Sequence, residues 1–207
     1  MHLPRHFRET RREVLHGLMR DHPFATLVTH AADGLTANHL PFELVGDVLQ
    51  THVARGNELT GMDGLEALVV FRGPQGYVSP NWYPTKRETG REVPTWDYAV
   101  VHAHGHIRLV DDAAWMRDLL ERLTTRHEAG EPEPWQISDA PADHIATSLR
   151  AIVGIEIPIE RLVGKFKLNQ NHPERNRQGI VEGLRRRSAG DDLALAELVL
   201  RHSKGKP

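Results

Sequence analysis

The fold class is decided by one stretch of the chain, FATLVTHAADGLTANHLPFELVGDVLQTHVA, residues 24–54. It contains three β-prone runs, 24–30, 35–44 and 48–54, separated by Ala-Asp-Gly and Gly-Asp, which readily form turns between strands. The stretch therefore predicts a meander of three antiparallel strands.

The rest of the chain adds more strands and then helices. Further strands are predicted over 66–72, 76–83, 97–110 and 151–159, the last at a sheet edge or a strand end because of its proline. Helices are predicted over 7–21, 111–127, 142–150, 173–187 and 191–202, with one or two helical turns within 55–64. No GxGxxG follows a strand, which argues against a Rossmann fold.

This pattern favours a mainly β protein with flanking helices, built on a small antiparallel barrel. We expect a single domain, 1–207, with the barrel over about 1–160 and a C-terminal helical hairpin within about 161–207.

The composition is that of a globular protein, with 39% hydrophobic and 26% charged residues. Cysteine is absent, which excludes disulfides, thiolate metal sites and a cysteine nucleophile. The start of the chain lacks the apolar run of a secretory signal, and no apolar stretch approaches the length of a membrane span. We therefore expect a soluble, cytoplasmic protein with no membrane partner.

Charge is unevenly distributed, although the net charge is only −2. Residues 111–143 contain nine acidic and three basic side chains, whereas residues 160–187 contain eight basic and three acidic ones. Two interpretations stay open: solvated helix faces, or a basic surface for the phosphates of DNA or of a cofactor.

Half of the twelve aromatic residues lie between Phe71 and Tyr98. Four prolines in the same interval predict rigid loops around short strands. Two tryptophans and two tyrosines flank a predicted polar hairpin tip, residues 85–92. Four polar residues are interleaved with these rings: Ser79, Asn81, Thr95 and Asp97. Such a cluster favours a binding site for a flat conjugated ligand over an ordinary core.

Two strand segments could supply the polar contacts of such a ligand. Pro41 ends the run Asn38-His39-Leu40-Pro41 and removes a backbone donor, so the strand must be interrupted or lie at an edge there. The freed backbone groups could pair with the polar edge of a ring, or the proline could mark only a bulge. The next strand ends in HVARGN, 52–57, whose amides and guanidinium could surround a phosphate or form an ordinary turn.

Other patterns carry less chemistry. His102, His104 and His106 share one strand face at a spacing that can chelate zinc, but no further ligand accompanies them and no metal site is predicted. GxSxG and phosphate-loop motifs are absent from the sequence. The C-terminal helices have the outline of a helix-turn-helix, but Asp191 and Asp192 would repel DNA phosphates at the start of the second helix.

Taken together, the chain resembles the PaiB-type FMN-binding negative transcriptional regulators. The resemblance is carried, in order, by HLPF (39–42), HVARGN (52–57), VVFRGPQGYVSPNWY (69–83), VPTWDYAVVHAHG (93–105), IVGIEI (152–157) and KLNQN (167–171). The chain departs from the family pattern at Glu58, where proline is frequent, and at Asn169, where serine is commoner.

The resemblance implies the FMN-binding split β-barrel and a homodimer with FMN between the subunits. It implies that the isoalloxazine lies against Asn38, His39, Leu40 and Pro41. It also implies that the ribityl phosphate is held by His52, Ala54, Arg55, Gly56 and Asn57, with Arg55 as the cation. The partner subunit or the facing wall would supply Ser79, Trp82, Thr95 and Trp96, and Lys167 is a further cofactor-binding candidate.

As function, the resemblance implies negative transcriptional regulation, with direct contact to DNA an open question. The alternative is an FMN-dependent oxidoreductase of the pyridoxamine-phosphate oxidase-like barrel group, or flavin reductase-like enzyme. His39, His52 and His102 are then candidates for proton delivery, because histidine titrates near neutral pH, but no catalytic residue is assigned. Haem binding or degradation is a third, weaker hypothesis.

Overall fold

A computed structural model describes residues 1–32 and 34–203; Asp33, in the first predicted turn, and residues 204–207 lie outside the described part. The strands are β1 Arg8–Glu9, β2 Phe24–Ala31, β3 Gly34–Pro41, β4 Glu43–Val45, β5 Val48–Ala54, β6 Glu66–Val78, β7 Thr95–His106, β8 Arg108–Val110, β9 Ile152–Pro158 and β10 Arg161–Lys167. The α-helices are α1 Arg12–Asp21, α2 Pro84–Thr89, α3 Ala113–Glu128, α4 Ala142–Arg150, α5 Glu174–Arg187 and α6 Asp192–Ser203.

The strands form two antiparallel sheets. The six-stranded sheet has the order β1-β10-β7-β6-β2-β3, and the four-stranded sheet has the order β4-β5-β9-β8. β2 pairs with β3 from Phe24↔Pro41 to Ala31↔Gly34. β5 pairs with β9 from Val48↔Pro158 to Ala54↔Ile152. The predicted class, antiparallel β with flanking helices, is confirmed.

The chain clusters into two compact units. Unit 1 comprises Met1–His22, Phe71–His102 and Val163–Pro207, and unit 2 comprises Pro23–Val70 and Ala103–Leu162. The C-terminal helices therefore cluster with two segments of the predicted barrel in unit 1. Among the described residues, no helix combines the length and the apolar character that crossing a membrane requires.

In unit 2, the second predicted strand, 35–44, is two strands that belong to different sheets. β3 ends at Pro41, and β4 begins at Glu43. Between them lies Phe42, which is buried and whose N–H donates to the Pro23 carbonyl at 2.9 Å. The chain thus passes from one sheet to the other at the proline, because Pro41 cannot donate the next ladder hydrogen bond.

In unit 1, the break predicted between residues 72 and 76 is wrong, since β6 runs continuously through Gly73 and Gly76. A Cβ on Gly73 would lie 2.9 Å from Leu18 Cδ1, and one on Gly76 would lie 3.1 Å from Leu195 Cδ2. These glycines therefore serve the close packing of α1 and α6 on the strand instead of forming a turn.

The polar hairpin tip predicted over 85–92 is also wrong. Pro84 is the first residue of α2, a position that tolerates its missing N–H. Gly90 ends the helix with a φ of +67°, and its N–H donates to the Lys86 carbonyl at 2.9 Å.

The strand predicted over 97–110 is divided at Ile107 into β7 and β8. Ile107 is buried, and its backbone exchanges hydrogen bonds with Leu65 and Gly64 at 2.9 and 2.8 Å. The helix predicted from residue 7 begins only at Arg12, because the Glu9 carboxylate accepts the N–H groups of Thr10 and Arg11.

The strand predicted as the last one, β9, is followed by β10, which the sequence pattern did not predict. β9 is paired on both sides, with β5 and β8, and its proline is the final residue of the strand. β10 contains Gly164, where a Cβ would lie 2.3 Å from Leu15 Cδ2. The glycine interrupts the strand pattern in the sequence because α1 packs directly on it.

Candidate functional site

β3 offers an unpaired backbone edge at Asn38–Pro41. Among the described strands it is the terminal one of its sheet and pairs with β2, with His39 opposite Thr26 and Asn38 opposite Leu27. The Thr26 hydroxyl lies 3.1 Å from His39 Nδ1. The outward N–H and C=O groups of this strand can therefore pair with a ligand, as a further strand would.

Two hydrogen bonds bring the end of β3 to the end of β5. The buried Thr51 hydroxyl donates to the Pro41 carbonyl at 2.7 Å, and Asn38 Nδ2 donates to Glu58 Oε1 at 3.5 Å. Asn57 caps the 3₁₀ turn that contains Glu58 by accepting the Leu59 N–H at 2.9 Å. The predicted ring-binding and phosphate-binding segments thus lie side by side in unit 2.

His52, on β5, has a buried Nδ1 with no hydrogen-bond partner among the described residues. Burial lowers the pKa of His52, so the imidazole is neutral at pH 7. A buried ring nitrogen without a partner is costly unless a ligand or water satisfies it. Ala54 and Gly56, at the end of the strand and in its turn, are exposed, and the Ala54 carbonyl accepts the Asn57 N–H at 2.9 Å.

Arg55 is present at the end of β5 as predicted, but its guanidinium is shared. Nη1 and Nη2 donate to the Asp111 carboxylate, the first at 3.0 Å, and Nε donates to the Arg150 carbonyl at 2.6 Å. The hydrogen bonds between the two side chains raise the pKa of Arg55 and lower that of Asp111. Because a guanidinium has five N–H donors, two are left for an anion.

Arg55 also lines an open cleft of about 390 Å³ in unit 2. Its apolar lining includes Met116, Leu149 and Ile152, and Arg117 and Arg150 add two further cations. The arginines of the cleft can bind an anionic group. Asp111 and Asp112, which also line the cleft, reduce the net positive charge of its lining.

In unit 1, Trp82 is packed against α5 more closely than the sequence suggested. A Cβ on Gly183 would lie 2.2 Å from the indole Cδ2, and the Arg187 guanidinium lies 5.0 Å from a ring centroid of Trp82. Ser79 caps the 3₁₀ turn that carries Trp82 by accepting the Asn81 N–H at 3.2 Å. Much of the Trp82 ring is therefore engaged within the protein.

Trp96 is the more accessible of the two predicted tryptophans. It is 50% exposed, its Nε1 donates to Gln75 Oε1 at 3.1 Å, and its ring meets Tyr77 edge-on at 6.4 Å. Tyr77 is itself 39% exposed and was not among the predicted site residues. This exposed pair of rings can stack against a flat ligand.

Thr95, Trp96 and Lys167 are brought together although 71 or more positions separate Lys167 from the other two. The Lys167 ammonium donates to the Thr95 hydroxyl and, at 2.6 Å, to the Trp96 carbonyl. It also lies 3.7 Å from Oδ1 of Asp97, a fully buried carboxylate. A cation is therefore fixed at the backbone of the residue that carries the exposed indole.

Asp97 belongs to a buried polar network that the sequence did not predict. Its Oδ2 accepts from Asn169 Nδ2 at 2.6 Å, and Asn169 Oδ1 accepts from the Tyr83 hydroxyl at 3.1 Å. Burial raises the pKa of Asp97 to about 6, opposed by the Asn169 hydrogen bond and the charge of Lys167. The signals were Asp97 among the aromatic residues and Asn169 in place of the family's commoner serine.

The three histidines of β7 do not form a metal centre with other residues. His106 Nδ1 lies 2.7 Å from Glu160 Oε1, and burial lowers the pKa of His104. Within residues 1–32 and 34–203, no three His, Asp or Glu side chains are grouped so that they could hold a metal ion.

Residues 1–161 match the family model described as "Putative FMN-binding domain". The chain belongs to this FMN-binding family. The predicted cofactor, FMN, is thereby confirmed. The residues of unit 2 fit FMN chemically. The free edge of β3 and the Asn38 amide suit the polar edge of the flavin ring, and Arg55 retains two N–H donors for the phosphate.

Curated relatives match over most of their length. A protein of Emericella nidulans is 31% identical over 233 residues, covering 92% of this chain and 93% of the relative. The "Protease synthase and sporulation protein PAI 2" of Bacillus subtilis is 29% identical over 208 residues, covering 96% of each chain. The resemblance to PaiB-type proteins is confirmed.

Solved structures show the same fold. The FAD and haem binding protein of Mycobacterium smegmatis superposes with a TM-score of 0.58 at 21% identity, covering 77% of this chain and 73% of the other. The flavocytochrome Anf3 of Azotobacter vinelandii gives a TM-score of 0.62 at 15% identity, covering 80% and 72%. The predicted split β-barrel of flavin-binding proteins is confirmed.

Proposed function

We propose that the isoalloxazine of FMN pairs with the free edge of β3 at Asn38–Pro41 and that its phosphate binds Arg55 and the turn to Asn57. The observation that carries this pose is the unpaired backbone edge of β3, fixed beside the end of β5 by the Thr51–Pro41 hydrogen bond. The imidazole of His52 would then lie on the strand next to the flavin.

We further propose a homodimer, in which unit 1 of a second copy covers the flavin. That copy would contribute Ser79, Trp82, Thr95, Trp96 and Lys167. Exposed apolar side chains support this assembly: Phe24 is 68% exposed, Leu35 is 77% exposed and Trp96 is 50% exposed. Large apolar side chains that are this exposed are available for burial at a subunit interface.

The dimer is tested by light scattering with Leu35→Lys. Leu35 lies on the edge strand β3, so a charge there should shift the wild-type dimer towards monomer and weaken FMN binding. Leu193→Lys is the control, because Leu193 is 54% exposed on α6 and lies outside the proposed site. A wild-type monomer that binds FMN would contradict the shared site.

The biological role that we propose is negative transcriptional regulation of the PaiB type, through FMN-dependent control of gene expression. It is supported by the B. subtilis relative, whose name refers to protease synthesis and sporulation and whose match extends over 96% of this chain.

If the protein contacts DNA directly, the basic end of α5 is a better candidate than the start of α6. Arg185 and Arg187 are paired with Glu197 and Asp192, whereas Arg186 is exposed and forms no ion pair with a described residue. At the start of α6, Asp192 is buried and paired with Arg187, whereas the adjacent Asp191 is exposed and would repel phosphates.

Gel-shift titrations at several salt concentrations, with and without FMN, test the regulatory role. DNA binding through phosphates should weaken steeply with salt, and Arg186→Gln should reduce the slope of log K against log[salt] by about one. Arg126→Gln is the matched control, because Arg126 is an exposed arginine of the acidic segment 111–143 and is not part of the lining of the cleft beside Arg55. A DNA affinity that changes neither on addition of FMN nor in Arg186→Gln would contradict direct repression through α5.

A second candidate function is FMN-dependent oxidoreduction. Bound FMN would supply hydride or electron transfer, and the chain would orient it and control its surroundings. The neutral, partnerless Nδ1 of His52 on β5 supports this alternative, because such a nitrogen can accept a proton beside the flavin.

Anaerobic mixing of the FMN-loaded protein with NADH or NADPH separates the two functions. Rapid bleaching of the flavin that slows in His52→Gln would favour an enzyme, whereas no bleaching with either donor would leave the regulatory role. A Soret band on titration with haemin would instead indicate haem binding.

A further inference from the structure

The Lys167 ammonium is fixed in one place and retains a free donor. Two of its N–H groups are held by the Thr95 hydroxyl and the Trp96 carbonyl. Its third N–H has no acceptor within hydrogen-bond distance among the described residues, since Asp97 Oδ1 is 3.7 Å away. The side chain is 23% exposed, so a ligand can reach part of it, and the ammonium also lies 6.0 Å from the centroid of the Phe7 ring.

The negative charge that balances the Lys167 ammonium is the buried carboxylate of Asp97. Asp97 is fully buried, and its Oδ1 has no hydrogen-bond partner among the described residues. Asn169 holds the other oxygen at 2.6 Å, and Asn169 is in turn held by Tyr83 while its own backbone adopts a φ of +57°. A left-handed backbone at a residue other than glycine indicates a position fixed by its surroundings.

We propose that Asp97 is a positioning residue that holds the Lys167 ammonium at the flavin and sets the balance between the binding of oxidised and reduced FMN. This inference rests on the proposed function, in which Lys167 belongs to the FMN site. Nothing in the sequence spacing joins these residues, because Asp97 and Asn169 are 72 positions apart.

The physical reason is the net charge of the pair. Reduced FMN carries more negative charge on its ring than oxidised FMN, so a fixed cation nearby favours the reduced form. The Asp97 carboxylate, 3.7 Å from the ammonium, offsets much of that field. Loss of the carboxylate charge should therefore favour reduced FMN, and loss of the ammonium should favour oxidised FMN.

The test is an anaerobic redox titration of the FMN-loaded protein, combined with fluorescence titration of oxidised FMN. Asp97→Asn keeps the size of the side chain and an oxygen for Asn169 but removes the charge. We expect the ratio of affinities for reduced and oxidised FMN to rise about tenfold, which corresponds to about 30 mV for a two-electron couple. Lys167→Gln should shift the ratio in the opposite direction.

Glu88→Gln is the matched control. Glu88 is an exposed carboxylate of unit 1 that pairs with Arg175 at 2.7 and 2.8 Å, away from Lys167, so its removal should leave the affinity ratio unchanged. A ratio for Asp97→Asn equal to that of the control, in a protein that binds FMN, overturns the inference and leaves the proposed function intact.

Two other outcomes are also decisive. A wild-type protein that binds no FMN overturns the proposed function and this inference together. If circular dichroism shows that Asp97→Asn does not fold, Lys167→Gln, at a partly exposed position, decides instead. An unchanged affinity ratio in that variant contradicts the role assigned to the pair.

Discussion

The indole of Trp82 lies directly on Gly183 of α5, so that a Cβ on this glycine would come within 2.2 Å of the ring. One helical turn earlier, a Cβ on Gly179 would lie 2.0 Å from the Trp82 carbonyl oxygen. Two glycines spaced one turn apart thus form the face of α5 that receives the segment carrying Ser79 and Trp82. The C-terminal helices are therefore part of the framework of this segment.

Gly183→Ala should lower the free energy of unfolding by about 1–3 kcal/mol, because the added methyl group displaces the indole or the helix. Urea denaturation measures the change. Gly17→Ala, in α1, is the control: a Cβ there would meet no other described part of the chain within 4 Å, so the substitution should raise stability by about 0.5–1 kcal/mol. Equal effects of the two substitutions would contradict the packing described for Trp82.

Asp97 should make the stability of the protein depend on pH. Its folded pKa, about 6, is raised above the ordinary value of 3.8, so its contribution is present below pH 4 and lost as the pH rises through 6. The charged group that acts on it is Lys167, on β10, and Asn169 donates a hydrogen bond to its carboxylate. Burial and the charge of Asp97 raise the pKa of the nearby Tyr83 hydroxyl, which stays neutral in this range.

Asp97→Asn removes this titration. The free energy of unfolding of the variant, relative to wild type, should increase by about 3 kcal/mol between pH 4 and pH 7, from a pKa difference of about two units. Urea denaturation at both pH values, with Glu88→Gln as the reference carboxylate, measures it. Parallel pH profiles for wild type and Asp97→Asn would show that Asp97 does not titrate in this range.

Arg55→Ala should weaken FMN binding roughly ten- to hundredfold, because it removes a charge-assisted hydrogen bond to the phosphate. Asp111→Asn should strengthen binding a few-fold, since Asp111 competes for the same guanidinium. Fluorescence titration gives the affinities. Arg108→Ala is the control, as Arg108 is exposed and lies 3.7 Å from Glu156. An affinity for Arg55→Ala equal to that of the control would place the phosphate elsewhere.

The fold could be predicted where local chemistry alone fixes it. β5 and α4 occupy the predicted residues, 48–54 and 142–150, at every position, and Gly46 and Pro141 lie just before their starts. The prediction divided β6 at Gly73 and missed β10, which contains Gly164. Both glycines are needed because side chains of α1, distant in sequence, pack directly on them. A single sequence shows the glycine but does not show which helix will pack on it.

The candidate site, too, has features that the sequence predicts and features that depend on contacts between distant residues. The interruption of β3 at Pro41 and the basic end of β5 at Arg55 follow from the residues themselves and are where the sequence placed them. The hydrogen bond from Asn169 to Asp97 joins positions 72 residues apart and depends on how β7 and the segment after β10 meet. Only the resemblance to the family drew attention to Asn169.

The central claim, that this chain binds FMN through β3 and β5, is tested most directly by fluorescence titration of FMN with the purified protein. The account predicts saturable quenching at one FMN per chain, a flavin absorption spectrum in the visible range, and much weaker binding by Arg55→Ala. A colourless wild-type protein that leaves the fluorescence of added FMN unchanged would contradict it.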